Sequence, residues 1–175
     1  DMDDDLPGYA WLGLGRDGGS HGEFMAVFYR TDRLDPVEYD HYWLSDTPEV
    51  IGSATWGHGN RRMVTWIRFR DLEASPEASN EFYFVNTHFD HAVEEARVKA
   101  AHLVVERLPA LDDDIPLVMT GDFNATGGDS EAYRVLVTDG PLRDTWYDGE
   151  SSPKDMSSFH SYTGPRDGAR IDWIL

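Results

Sequence analysis

The 175-residue sequence contains no cysteine, which excludes disulfides, thiolate nucleophiles and cysteine-ligated metals. It is also nearly without lysine. Lys99 and Lys154 are the two in the chain, and with the arginines they make 15 basic residues against 33 acidic ones, a formal net charge of −18. No basic face of the kind that binds nucleic acid is visible. No apolar run approaches the roughly 20 residues of a membrane-spanning helix, and no stretch reads as a signal peptide. The chain opens DMDDDLPGY without an initiator Met, so a targeting segment would lie outside it. Internal repeats, long linkers and low-complexity tracts are lacking too.

What is present is 40% hydrophobic and 13% aromatic residues, enough for a packed core, and a length that suits a single domain over residues 1–175. The acids recur along the whole chain rather than in one tail. A coat of this kind repels itself at low salt and is screened at high salt, the pattern of halophilic adaptation; an ordinary acidic cytoplasmic protein is the alternative. A polyanionic substrate would need divalent cations, high salt or a local arginine cluster.

Hydrophobic periodicity predicts strands at 23–30 (EFMAVFYR), 62–69 (RMVTWIRF) and 81–89 (EFYFVNTHF), the second with Met63, Thr65, Ile67 and Phe69 alternating against Val64, Trp66 and Arg68. A helix is expected over 93–108, where Val93, Ala96, Ala100, Leu103, Val104 and Leu108 recur at helical spacing before Pro109. IPLVMT (115–120) reads as a buried strand. Asp129 or Ser130 is placed to cap a short helix through Val137, and ARIDWIL (169–175) closes the chain as a strand. Strand, helix and strand over 82–120 have the spacing of a crossover unit, so a mixed sheet with covering helices follows.

Three short stretches carry chemistry. In TGDFN, Asp122 and Asn124 are two residues apart and share one face of an extended segment, with Phe123 on the other. A carboxylate can hold a divalent metal or take a proton from water, and an amide can donate to a phosphoryl oxygen without adding negative charge. The competing structural reading is an Asx-turn bonding local backbone. In FVNTHFDH, Asn86 and His88 share a face at a strand's C-terminal end, where sites collect in open α/β sheets. His88 suits a phosphate oxygen, or equally a hydrogen-bonded core position; a zinc pair with His91 is poorly supported, and His91 is expected in the following loop. In ARIDWIL, Asp172 stands alone among Ile171, Trp173 and Ile174, so it is expected to be buried with a partner. That partner is either a histidine it orients, as in catalytic triads, or Arg170 or Arg166.

The set NTHxD, an AR-containing helix, GDFN and RIDWIL, in that order, resembles the endonuclease/exonuclease/phosphatase superfamily of DNase I-like proteins. GEFMAVFYR (22–30), YWLSDTPEVIGS (42–53), RMVTW (62–66) and SFHSYTG (158–164) are similar to a bacterial and archaeal branch near the deadenylases. The resemblance implies an α+β fold, a four-layer αββα sandwich of two mixed β-sheets with the site at one rim. It implies a metal-dependent phosphoesterase using Mg²⁺ or Mn²⁺ and acting on a phosphodiester or phosphomonoester of nucleic acid or of a small phosphorylated molecule. The alternative is a non-catalytic phosphate-binding member of the same fold. Neither a membrane nor a protein partner is implied. By resemblance His88, Asp122, Asn124 and Asp172 are catalytic, Asp122 and Asn124 touch the metal, and Arg62, Asn86 and His160 lie on the substrate side, with Glu23 a weaker candidate. The family's first strands, with a metal-binding Glu, and its last strand, with a second His, have no counterpart here. The chain is therefore expected to be a fragment of a longer protein.

Overall fold

The computed structural model describes residues 5–57, 59–75, 80–148, 157–161, 164 and 168–175. Among the described residues, seven strands form a two-stranded ribbon and a five-stranded sheet. The ribbon pairs β1 (Tyr9–Leu12) with β2 (Val27–Arg30), antiparallel. The sheet runs in chain order: β3 (Leu34–Trp43), β4 (Met63–Asp71), β5 (Glu81–His88), β6 (Leu117–Asp122) and β7 (Asp172–Ile174). All its pairs are antiparallel except β5 with β6, the pair joined by the crossover helix α1 (Glu94–Arg107). A parallel pair needs such a crossover, because its strands start at the same end.

Strand alternation assigns each face of the sheet. Val64, Val85, Met119, Phe123 and Trp173 turn to the helix side, against Ala96, Ala100, Ala101 and Val104 of α1. Alanines four apart on α1 let its backbone come close to the sheet. Ile67 and Phe69 turn the other way and pack with Val27 of β2, joined by Leu12, Tyr29, Phe82 and Phe84. The layers are thus helices, sheet and ribbon; among the described residues no helix covers the ribbon's outer face, where Trp11, Phe24 and Phe28 are exposed.

Helix α1 begins without a capping side chain on its own N-cap, Val93. Asp90 substitutes from outside: its Oδ1 accepts from the N–H groups of Ala92 (2.9 Å) and Val93 (2.7 Å), satisfying donors that a helix start leaves open. A tighter turn at Leu108–Ala110 carrying Pro109 ends it. Ser130 caps the second short helix, α2, as expected, accepting from Tyr133 N–H. It runs as Glu131–Tyr133 and continues as a π-turn, Arg134–Thr138.

Two strands, β1 and β3, are additions to the sequence reading. The stretch LDPVEYDHYW of β3 contains Pro36 and charges on both faces, which argues against a central strand. It lies at the sheet's edge, with a register shift between Pro36 and Glu38, where proline's missing N–H costs no ladder bond. Only Val27–Arg30 of the expected 23–30 strand is regular; the residues before it belong to an arm described below.

Gly121 fixes the spacing of β5 and β6 at the site. A Cβ there would lie 2.5 Å from Thr87 O and 2.8 Å from Thr87 Cγ2. Gly121→Ala is expected to cost roughly 1–3 kcal/mol, as overpacking does, read from the midpoint of urea unfolding. An unchanged midpoint would show that the strands part without penalty.

Candidate active site

The C-terminal ends of β5 and β6 are in register, His88 opposite Asp122. Both side chains stand on the ribbon side of the sheet, and His88 Nε2 lies 3.4 Å from Asp122 Oδ2. Phe123 reverses into the helix-side core and is fully buried, which fixes the strand end so that Asp122 stays at the rim. Asn124 has φ +48°, a left-handed conformation that asparagine tolerates better than most residues.

The turn reading and the functional reading of GDFN hold together, because Asp122 has two oxygens. Oδ1 accepts from Asn124 N–H at 2.9 Å, the Asx-turn; Oδ2 faces His88. Asn124 spends one amide N–H on Phe89 O (3.1 Å), which ties the ends of β5 and β6 together. Its Oδ1 and second N–H are not used in that bond. Asp122 is half-buried, and desolvation raises its proton affinity, with the nearby Asp172 adding to the rise and the Asn124 N–H, His88 and Arg62 opposing it. His88 moves the other way: burial, then the charge of Arg62, lowers its proton affinity, so the neutral imidazole is favoured at pH 7. On its other side, His88 Nδ1 lies 3.9 Å from Glu23 Oε2.

Arg62 enters from the start of β4 and is only 4% exposed. Its Nε lies 3.7 Å from Asp90 Oδ2, and its Nη2 donates to His91 Nδ1 at 3.1 Å, since a guanidinium has no acceptor. Nε and Nη1 are buried without a hydrogen-bond partner among the described residues. Desolvation and the charge of Arg16 lower its proton affinity, while Asp90, Glu23 and Asp122 support the charged form. Arg62 is therefore a buried cation beside the site, and His91, in the loop as expected, is its acceptor. Asn86 donates to Ala26 O at 3.2 Å, so its amide joins the sheet to the arm before β2.

Asp172 departs from its expected burial. It pairs in register with Asp122 but is exposed, while Trp173 is buried. The reason is alternation on an edge strand: Trp173 takes the helix side, and Asp172 shares the opposite, open face with Ile174. The expected ion pair with Arg170 is also absent, because Arg170 Nη2 donates to buried Asp144 at 2.5 Å. Arg166 lies outside the described residues. His160 is exposed in the segment 157–161, two residues from Ser158, whose hydroxyl accepts from Ile171 and Asp172 N–H.

Arg16 was invisible to sequence reasoning. Its Nη1 donates to Glu23 Oε2 at 2.6 Å, placing it at the end of a continuous line from Glu23 to His88 to Asp122. The one signal for it was its position seven residues before Glu23, in a glycine-rich stretch with the look of a plain turn.

An antiparallel ribbon packed on a mixed sheet with Asp122, Asn124 and His88 at one rim fits the family implied by the sequence motifs, and a family model described as Endonuclease/Exonuclease/phosphatase family matches residues 2–175. The chain belongs to this family. It is similar to a mannosyl-6-phosphatase of Bacteroides thetaiotaomicron (34% identity, TM-score 0.87, covering 99% of this chain and 64% of that one). It is similar as well to an endonuclease/exonuclease/phosphatase protein of Bacteroides vulgatus (32%, 0.86, 99% and 66%). A humanized D. rerio TDP2, at 14% identity and TM-score 0.73, shares the fold. The chain thus spans about two thirds of the length of these Bacteroides proteins. No curated protein matches its sequence. The α+β, DNase I-like architecture is that of its family.

A divalent cation is implied by the family, and the donor set can be tested against it. Asp122, Asn124 and Asp172 offer hard oxygen donors, and the two carboxylates stand in register on neighbouring strands. Among the described residues no three His, Asp or Glu side chains gather as a metal cluster. Magnesium commonly takes one or two carboxylates together with water and phosphate oxygens, so the residues fit a site of that open kind.

Proposed function

We propose that the protein hydrolyses a phosphoric ester, with water attacking phosphorus in line with the departing alcohol. The observation that carries the reading is the joint placement of His88, Asp122 and Asn124 at one sheet rim, with opposite shifts in proton affinity on His88 and Asp122. Asp122 Oδ2, made more basic by burial and by Asp172, takes the proton from the attacking water. Neutral His88 donates a hydrogen bond to a phosphoryl oxygen on which charge develops. Glu23, beside Nδ1, holds the ring's orientation. Asn124 contacts a non-bridging oxygen, and Arg62 supplies positive charge from below. Asp172 keeps Asp122 basic and lies beside it for a cation. Mg²⁺ or Mn²⁺ would be held by Asp122 and Asn124, and would supply neutralisation of phosphate charge and stabilisation of the leaving oxygen.

The similarity to a mannosyl-6-phosphatase supports a small phosphorylated metabolite over nucleic acid. So does the net charge of −18, which opposes a long polyanion through electrostatics. The test is hydrolysis of p-nitrophenyl phosphate and bis-p-nitrophenyl phosphate in molar KCl, with Mg²⁺, with Mn²⁺ and with EDTA. Metal-dependent turnover abolished by EDTA is expected. Phosphate binding without turnover under every metal would replace the hydrolase with a phosphate-binding domain.

A further inference from the structure

We propose that Arg16 is the second cation of a two-arginine phosphate cradle, and that it gives the site a preference for the dianionic phosphate of a monoester over a monoanionic diester. This deepens the hydrolase reading and rests on it for the word ester.

The arm that carries Arg16 is built to hold one shape. Between β1 and β2 the chain closes through isolated bridges at Gly15 with Phe24 and Gly18 with His21. Gly15 has no room for a Cβ, which would meet His21 O at 2.2 Å, and at Gly13 it would meet Ala26 Cα at 2.8 Å. Arg16 N–H donates to Glu23 O at 2.9 Å. The arm is then tied to the rest of the molecule at two points, the second through an arginine that is itself anchored. Trp43 Nε1 donates to Arg16 O (2.7 Å), Arg61 Nη1 to Asp17 Oδ1 (3.2 Å), and Arg61 Nε to Gly52 O (2.7 Å).

The Arg16 side chain is 15% exposed and ends on Glu23 Oε2, the same oxygen that lies nearest His88 Nδ1. Arg62 is 4% exposed, and its Nε and Nη1 make no hydrogen bond among the described residues. Arg16 spends one side-chain N–H on Glu23 and Arg62 one on His91, so each guanidinium keeps further donors of its five. Glu23, Asp90 and Asp122 offset part of that positive charge. The donors that the two forks keep suit an anion with several terminal oxygens. A phosphomonoester near neutral pH carries close to two negative charges and three terminal oxygens, enough for both arginines and His88. A diester carries one charge, and its second ester group takes the place of an oxygen that Arg16 would bind.

The experiment compares the wild-type protein with Arg16→Gln and Arg16→Lys on p-nitrophenyl phosphate and bis-p-nitrophenyl phosphate, and measures binding of inorganic phosphate by calorimetry. Arg16→Gln is expected to lower the monoester-to-diester ratio of kcat/KM by roughly 10–100-fold, the span of a lost charge-assisted hydrogen bond, and to weaken inorganic phosphate in step. Equal losses on both esters, or no loss, would overturn the proposal, since a residue that merely supports Glu23 and His88 serves both substrates alike. Where Arg16→Gln does not melt cooperatively, Arg16→Lys decides. It keeps the charge and loses the fork, so its ratio should stay well above that of an uncharged site, and a ratio collapsed to parity overturns the idea. If the wild type cleaves neither ester yet binds phosphate through Arg16, the cradle stands and the hydrolase reading falls.

Discussion

On the proposed hydrolase reading, Asp122→Asn is expected to lower turnover of p-nitrophenyl phosphate by about 10³-fold, within the 10²–10⁴ that a positioned general base contributes, while the protein melts no earlier than wild type. The two halves of this expectation have separate causes. An asparagine keeps an oxygen where Oδ1 accepts the Asn124 N–H, so the turn survives. It removes the charge from Oδ2, the atom facing His88, and with it the capacity to accept a proton. Stability moves the other way because the folded-state proton affinity of Asp122 is raised. A carboxyl of that kind contributes its stability below its unfolded pKa and loses it as pH rises through the higher folded value. At pH 7 the ionised group is therefore a strain on the fold, and neutralising it relieves that strain. Rates and thermal melts of the two proteins side by side decide the matter. A variant within tenfold of wild-type rate would remove Asp122 from the reaction.

Phe123→Ala is the largest structural loss expected. The ring is fully buried, stacked on Trp173 at 4.1 Å and 10° and edge-on to Phe89 at 5.0 Å. Truncating a buried phenylalanine costs about 3–5 kcal/mol through lost transfer energy and the cavity left behind. Loss of the aromatic pairing adds about 0.5–1.5 kcal/mol where the site cannot collapse. The position matters beyond stability. Phe123 holds the strand end between Asp122 and Asn124, and its own N–H donates to Ile171 O at 2.8 Å, bringing β7 and Asp172 alongside. The urea midpoint should fall steeply, and kcat measured well below the melting temperature should fall too. A destabilised protein with unchanged kcat would mean that the Asp122–Asn124 turn keeps its shape without the ring beneath it.

Much of the site was legible because short-range geometry governs it. Two side chains two residues apart on a strand share a face whatever the rest of the fold does. Asn86 and His88 could thus be put on one face and Phe123 on the face opposite Asp122, and the Ala-lined stripe of α1 could be placed against the sheet. The helix start, stop and cap signals at Pro109 and Ser130 are equally local. Failures came where a residue's environment depends on its neighbours across the fold. Asp172 sits among apolar residues in sequence, yet burial of an edge strand is one-sided, and it took the open side. Pro36 and mixed charges hid β3, because only the sheet order reveals that this strand has one partner.

Arg62 and Arg16 show the division most sharply. Arg62 reads as a polar residue at a strand start, and its burial follows from Asp90 and His91, 28 and 29 positions later, folding over it. Arg16 reads as part of a glycine turn, and its approach to His88 follows from the arm's tethers to Trp43 and Arg61. By itself the sequence determined the family motifs, the crossover unit and the carboxylate–amide pair that phosphate chemistry needs, since backbone periodicity and residue chemistry act over a few positions. The tertiary structure alone decided which charges face one another and which lie under cover. Coulombic and desolvation effects act through space, and separation along the chain does not measure them.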